Sequence, residues 1–328
     1  LEKQYFLILN SGGIIYLTSA ALSSFFTGRG RTKVPMFVNI AGNALCVLLS
    51  WLLVFGAGPV PAMGIKGAAL AMVAGQALML VLYLVLIFSP YNRRRYRTAR
   101  LVGVHRGLFT RLIKYGAPNG VGFFLDIASF TAFIFIIGAM DRVSLAASNI
   151  IASLNMIVFM PVIGLGIAAL TLVGKYIGMR KPDVAVRVTH NAAGMAALYA
   201  LAFGFLFTAF PGVFVNIFGS GHSADYAEIL DRSRPVMKVL AVFVFFDAVA
   251  MIYSDALRGA GDTRFQMLGA SAASWLLFVP GIWYITHYAG GDLIHAWAWG
   301  GFYVFLLAVF FTLRFRSGLW RKIDILKG

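Results

Sequence analysis

Long stretches without a single Asp, Glu, Lys or Arg constrain this chain more than any other feature. Seven of them, 4–28, 34–65, 67–92, 143–174, 188–224, 265–291 and 293–313, are each at least 20 residues long. A bilayer's hydrocarbon core is crossed by about 20 apolar residues in a helix. Two further apolar runs are broken only by acids: 115–140 holds Asp126, and 239–257 holds Asp247 and Asp255. Nine spans follow, so the predicted fold class is an all-α polytopic membrane protein. Composition excludes the soluble alternative. Only 12% of residues are charged and 60% are hydrophobic, whereas soluble domains carry about 25% charged residues. The run 188–224 is long enough to hold a loop, predicted at Gly219, Ser220 and Gly221. A single cysteine, Cys46, excludes an internal disulfide and a Cys-rich metal site.

The charge that remains is lopsided, at net +16. With nine spans, alternate loops face opposite sides, and 22 of the 28 Lys and Arg residues fall in one set. Cytoplasmic loops carry the excess of Lys and Arg. The expected location is therefore the plasma (inner) membrane, multi-pass, with the C-terminus cytoplasmic and residue 1 outside. The same rule accounts for the basic residues without a nucleic-acid partner, and none is expected.

An internal repeat organises the chain. Gly28-Arg-Gly-Arg-Thr32-Lys-Val-Pro-Met36 aligns without gaps with Gly259-Ala-Gly-Asp-Thr263-Arg-Phe-Gln-Met267. Both fit G-x-G-x-T-(K/R)-x-x-M, and both join two spans in an inner loop running in the same direction. A parallel repeat about the membrane normal is a known transporter plan. The second copy follows the fourth helix of a six-helix unit, but the first follows only one helix. The expectation is an incomplete version of a two-lobe 6+6 helix fold. About three helices would precede Leu1, where no secretory signal is visible. The expected parts are 1–89, a three-helix remnant of the N-terminal lobe; 90–110, a cytoplasmic basic linker; 111–314, a C-terminal six-helix lobe; and 315–328, a cytoplasmic basic tail.

Two acids stand out. A carboxylate at mid-bilayer costs about 2.5–3.5 kcal/mol on insertion scales. Asp126 and Asp247 lie about 15 and 10 residues from the inner ends of their spans, roughly 22 and 15 Å deep. No Lys or Arg lies within two turns of either on its own helix. The partner is therefore a proton, a metal cation, a cationic substrate or a residue on another helix. As cation-coupling groups they would load on one side and release on the other; as structural groups they would be helix glue. Asp255, near the inner loop, is read as interfacial. Asn149, Asn155, Gln76 and Ser129 either bond a neighbouring helix or line a cavity. Phe123 and Phe246 are candidate cavity linings, since aromatic surfaces accept varied cations. Pro118 and Pro161 lie inside spans and are expected to kink them.

Five further segments carry a family resemblance: Phe25–Met36; Gly64-Ile-Lys-Gly67-Ala-Ala69; Tyr115-Gly-Ala-Pro118-Asn-Gly-Val-Gly-Phe-Phe-Leu-Asp126; Ala146-Ala-Ser-Asn149 through Pro161, Gly164-Leu-Gly166 and Val173-Gly-Lys-Tyr-Ile-Gly178; and Leu257-Arg-Gly-Ala-Gly-Asp-Thr263. In order and spacing they resemble the multidrug and toxic compound extrusion (MATE) transporters, from the family's fourth helix to its twelfth. The resemblance implies secondary-active efflux of organic cations and drugs in exchange for H⁺ or Na⁺, with alternating access between two lobes. It places Asp126 and Asp247 where the family has acids in its seventh and tenth helices. Thr131, Phe243, Cys46 and Ser50 depart from residues common at those positions. The implied partners are a drug or organic cation and the lipid bilayer, acting as a monomer at full length; no cofactor is implied beyond the coupling ion. No G-x-x-x-x-G-K-[ST] loop and no H-x-x-x-H pair is present, so an enzyme is not expected. Two other functions stand beside efflux. One is a lipid-linked oligosaccharide flippase of the same superfamily, which the lack of mid-span Arg or Lys disfavours. The other is a non-transporting membrane assembly subunit.

Overall fold

The computed structural model describes residues 2–56, 61–98, 105–218 and 226–323. The loop predicted at Gly219–Gly221 lies outside the described residues, as do Arg100 and Lys327 of the loop count. Among the described residues the chain is all helical, and nine helices are long and apolar enough to cross a membrane. It divides into two compact units, Leu1–His105 and Arg106–Gly328.

The first unit holds α1 (Glu2–Thr27), α2 (Lys33–Phe55), α3 (Ile65–Ile87) and the short α4 (Pro90–Tyr96). Lipid offers no hydrophobic drive between helices, so close approach through small residues does the packing. At Gly75 a Cβ would come within 2.8 Å of the Gly42 carbonyl oxygen, so α2 and α3 meet backbone to backbone there. Phe26, Val38, Met79, Tyr83 and Ile87 form the small core. Arg29 pins α4: its guanidinium lies 3.9 Å over the Tyr96 ring and 4.8 Å over Phe25. It also donates to Asn92 Oδ1 at 3.2 Å. Asn92 in turn donates to the Leu86 carbonyl at the end of α3, at 2.7 Å.

The second unit is built on α5 (Arg106–Gly138), α6 (Arg142–Gly178), α7 (Pro182–Ala209), α8 (Pro211–Phe218), α9 (Tyr226–Gly259) and α12 (Leu293–Arg316). Between α9 and α12, one span runs through α10 (Thr263–Ala273), a π turn (Ser274–Phe278) and α11 (Val279–His287). A 3₁₀ turn, Leu319–Lys322, ends the described chain. Helix α9 packs against α6, α7 and α12. Phe133 of α5 meets Trp297 of α12 edge-on at 5.4 Å, and Trp297 Nε1 donates to the buried Ser148 hydroxyl of α6 at 3.2 Å. At the same end of α6, about two turns before Ser148, Asp141 caps the helix, accepting from Ser144 N at 2.8 Å and from Arg232 at 2.8 Å. Desolvation pushes the Asp141 carboxyl up, but the Ser144 hydrogen bonds and Arg232 outweigh it and hold the group below its ordinary range.

Several boundaries differ from the sequence expectation for one reason. Spans read as charge-free runs begin too late, because the ends of a spanning helix sit among headgroups where charge is tolerated. Thus α5 begins at Arg106, and α7 begins at Pro182 and carries Asp183 and Arg187. Within 188–218 there is also a break the sequence reading did not place: α7 stops before Phe210, because Pro211 has no N–H to continue it. Pro118 and Pro161 both lie inside continuous helices. The span 265–291 is not one α-helix. Val279 N donates to Ser274 O across the π turn, just before Pro280, and Trp299 Nε1 donates to the Leu277 carbonyl at 3.2 Å.

The repeated motif has one backbone solution in both copies. In the first, Gly30 N bonds Thr27 O at 2.8 Å and Arg31 N bonds Phe26 O at 3.0 Å. In the second, Gly261 N bonds Arg258 O at 3.0 Å and Asp262 N bonds Leu257 O at 2.9 Å. This is a Schellman closure, which needs a left-handed residue after the helix. Gly30 has φ +71° and Gly261 has φ +84°. A Cβ in that conformation costs about 1–2 kcal/mol. Gly261→Ala is therefore expected to lower the thermal midpoint of the purified protein, by about 1 kcal/mol of stability. Gly116→Ala, inside α5 with open space where its Cβ would go, is expected to raise it by about 0.5–1 kcal/mol. Equal shifts from the two variants would refute the turn argument.

Candidate functional site

Three helices of the second unit bring polar groups together. Asp126 comes from α5, Asp247 from α9 and Tyr303 from α12. The two carboxyls are close enough for the charge of Asp126 to be felt at Asp247. Both are felt at the Tyr303 hydroxyl. Asp247 is half-buried in a tight crevice between α9 and α6, lined by Asn155, Val158, Phe159, Val162, Val244 and Ala248, with no room for a water-sized body. Its carboxyl has no hydrogen-bond or ion-pair partner among the described residues. Asp126 is exposed on α5. The backbone beside it is held twice: Ser129 Oγ donates to the Asp126 carbonyl at 2.8 Å, and Trp275 Nε1 donates to the Leu125 carbonyl at 3.3 Å.

The remaining sequence candidates separate. Asn155 faces the Asp247 crevice. Asn149 is exposed on α6, away from the residues that line that crevice. Ser129 is buried, and its hydroxyl already bonds its own helix. Phe123 is exposed on α5, and Phe246 packs edge-on against Phe305 at 5.0 Å. Gln76 lies half-buried on α3 in the first unit. Among the described residues no group of three His, Cys, Asp or Glu side chains is placed to hold a metal ion.

The sequence reading missed a cation. Arg258 counts as an inner-loop charge by position, yet it lies in the last turn of α9. Its Nη1 bonds Asp255 Oδ1 at 2.9 Å, and its Nε donates to Asn119 Oδ1 on α5 at 3.1 Å. Its charge reaches Asp126. Asp255 is in the last two turns of α9, is only 5% exposed and rests against Gly166 of α6. The i, i+3 spacing of Asp255 and Arg258 was the available signal. Tyr303 carried no comparable signal: it is one hydroxyl among the aromatic residues of α12, and only folding brings it to the acids.

The acids thus sit at the junction of α5, α9 and α12, in a membrane-embedded unit whose other polar groups are mostly satisfied. Comparison with known proteins agrees in fold and sequence. The chain is 26% identical over 325 residues to the probable multidrug resistance protein NorM of Thermotoga maritima, covering 99% of this chain and 68% of that protein. It is 27% identical to the protein of the same name from Pseudomonas putida, covering 87% of this chain and 62% of that one. Among solved structures, one of MATE in complex with MaL6 superposes with a TM-score of 0.87 at 16% identity, over 98% of this chain and 70% of that one. A transporter of the MOP superfamily from Pyrococcus furiosus gives 0.86 at 17% identity, over the same shares. This chain therefore spans about two thirds of the length of the relatives it matches. The sequence profile of the MatE family matches residues 118–283, which takes in Asp126, Asn155, Asp247 and Arg258. By that match the chain belongs to the MatE family of membrane transporters.

Proposed function

We propose that this chain works in cation-coupled efflux of drugs, with Asp126 and Asp247 as the groups that bind the coupling cation. The observation that carries the reading is the Asp247 carboxyl, placed within the membrane and left without a partner beside Asn155. A bare charge there is costly, so its persistence calls for a cation that comes and goes. Asp126 shares the field of that charge. Protonation or cation binding at Asp247 removes the repulsion between the acids, and drug displaced by that change leaves as the halves of the transporter rock. Of the two candidate cations, the tight crevice favours the proton. A proton needs no added volume, whereas Na⁺ needs several oxygen ligands around it. The flippase reading lacks a supporting observation, because the field at this junction is dominated by carboxylates. Drug export is also the activity implied by the name of the relatives.

The test is drug extrusion from proteoliposomes or cells expressing the whole protein. Asp247→Asn and Asp126→Asn keep the side-chain shape but remove the titrating charge. Each is expected to lower extrusion driven by an imposed proton gradient by at least about ten-fold, with less effect on drug binding. A sodium gradient alone is expected to drive little extrusion. Unchanged transport in both variants would sink the assignment of these residues.

Orientation is tested separately. In a Cys46→Ala background, Ala289→Cys and Met179→Cys place single thiols on exposed residues beyond α11 and α6. A membrane-impermeant maleimide is expected to label position 289 in intact cells, and position 179 only after permeabilisation. The reverse pattern would overturn the placement of the C-terminus inside.

A further inference from the structure

A second polar cavity lies away from the acids, where the start of α7 meets the end of α12. It measures about 550 Å³ and is lined by Val186, His190, Phe315, Arg316, Gly318 and Arg321. Its lining combines an apolar floor, from Val186 and Phe315, with a cationic wall. Arg316 has no carboxylate partner among the described residues. Among the described residues the carboxylate that Arg321 reaches is Asp183, at 3.3 Å, and Asp183 is 80% exposed, an arrangement that binds weakly. The buried acid of this end, Asp262, is already paired with Arg314 at 2.8 Å. Among the described residues, the wall therefore carries positive charge that no protein group neutralises fully.

The wall is also held in place. Trp320 is 1% exposed, stacks on Phe315 at 5.0 Å and donates to the Phe315 carbonyl at 2.7 Å. Gly318, at φ +68°, turns the chain so that Arg316 and Arg321 flank one opening. The His190 ring lies edge-on to both Tyr253 and Phe315, each at 6.2 Å. A positioned pair of guanidiniums is suited to a phosphate group, to which Arg donates in a fork. The cavity opens at the ends of two membrane-spanning helices, the level at which lipid headgroups lie. Its volume is in the range of ligand pockets and exceeds what a bare phosphate would fill.

We propose that the cavity bounded by α7, the end of α12 and the Leu319–Lys322 turn is a binding site for a phosphate-bearing anion, with Arg316 and Arg321 as its principal donors and His190 and the apolar floor shaping the rest. The geometry suits a phosphodiester headgroup of an anionic lipid; free inorganic phosphate has the same chemistry and is separated from it by experiment. The site is independent of the efflux reading, since none of its residues touches Asp126 or Asp247.

The experiment compares the purified whole protein in phosphatidylcholine nanodiscs with and without phosphatidylglycerol, and in phosphatidylcholine discs with added inorganic phosphate. The readouts are the unfolding midpoint and the phosphatidylglycerol retained in native mass spectrometry. Phosphatidylglycerol is expected to raise the midpoint and to remain bound. In Arg316→Gln/Arg321→Gln at least half of that shift should disappear, and affinity should fall by ten-fold or more. Arg93→Gln/Arg94→Gln removes the same charge from α4 and should keep both. A response to inorganic phosphate alone, lost in the same Arg316/Arg321 variant, would support the anion site and assign it to a soluble source. A wild-type response in the Arg316/Arg321 variant, or an equal loss in the α4 variant, would overturn the site and leave only a diffuse basic fringe. If the Gln pair does not fold, the Arg316→Lys/Arg321→Lys pair serves instead. It keeps the charge but loses the fork, so several-fold weaker lipid retention is expected, and equal retention overturns the proposal.

Discussion

The second unit depends on how closely other helices can come to α9. Helix α6 meets it where Gly259 lies against the backbone of Leu170 and Gly166 lies against the Asp255 carboxyl; α7 meets it at Gly204, beside the Ala241 carbonyl. A side chain at any of these glycines would need space already filled by backbone or by a charged group. In lipid, where apolar side chains gain little by leaving their surroundings, such contacts carry the association. They also set the positions of everything polar on α9. Asp247 and Asn155 line one crevice, and Arg258 donates to Asn119, because the helices approach this closely.

Charge inside the unit follows two patterns. Asp255 with Arg258, and Asp262 with Arg314, each join a buried carboxylate to a partly exposed guanidinium at 2.8–2.9 Å. Removing the arginine would leave the carboxylate buried alone, whereas removing the carboxylate leaves a cation that solvent can screen. They lie at the ends of α9 and α12, where a cation also suits the helix dipole. Asp126 and Asp247 break this pattern: among the described residues neither carboxyl has a hydrogen-bond or ion-pair partner. The contrast gives these two acids their interest: the same fold that satisfies Asp255 and Asp262 leaves them open.

Most of the architecture was legible in the sequence, because a membrane span is a local property of about 20 residues. The repeat was legible too, since Gly30 and Gly261 are demanded by the same turn. Helix ends were less so. Arg106 and Asp183 sit in the first turns of helices and Arg187 in a second turn, and a rule that stops at charge stops short of them. At the site, the two acids could be found because charge in an apolar run is rare. Arg258 could not be placed, because loop and last helical turn differ by a single turn of chain, and its partner Asn119 is 139 residues away. Tyr303 depends on tertiary packing, its ring lying against Phe278 of the π turn at 4.8 Å. The π turn was unforeseen because hydropathy has no sensitivity to hydrogen-bond register; Pro280 was its only trace.

That π turn fixes the phase of the span that contains it. Past Thr263, buried at its start, the buried residues there are Gln266, Ala270, Ser274, Phe278 and Ile282, one in every four. In an ideal α-helix a step of four overshoots a full circle by about 40°, so four steps would carry the stripe about 160° round, nearly to the opposite side. One wider turn takes back about 90° of that drift, which keeps Ile282 on the side of Gln266. The length of this span is therefore set to the residue. Adding or removing a single position on either side of Ser274–Phe278 would rotate half of the buried stripe toward lipid while leaving hydropathy and length almost unchanged.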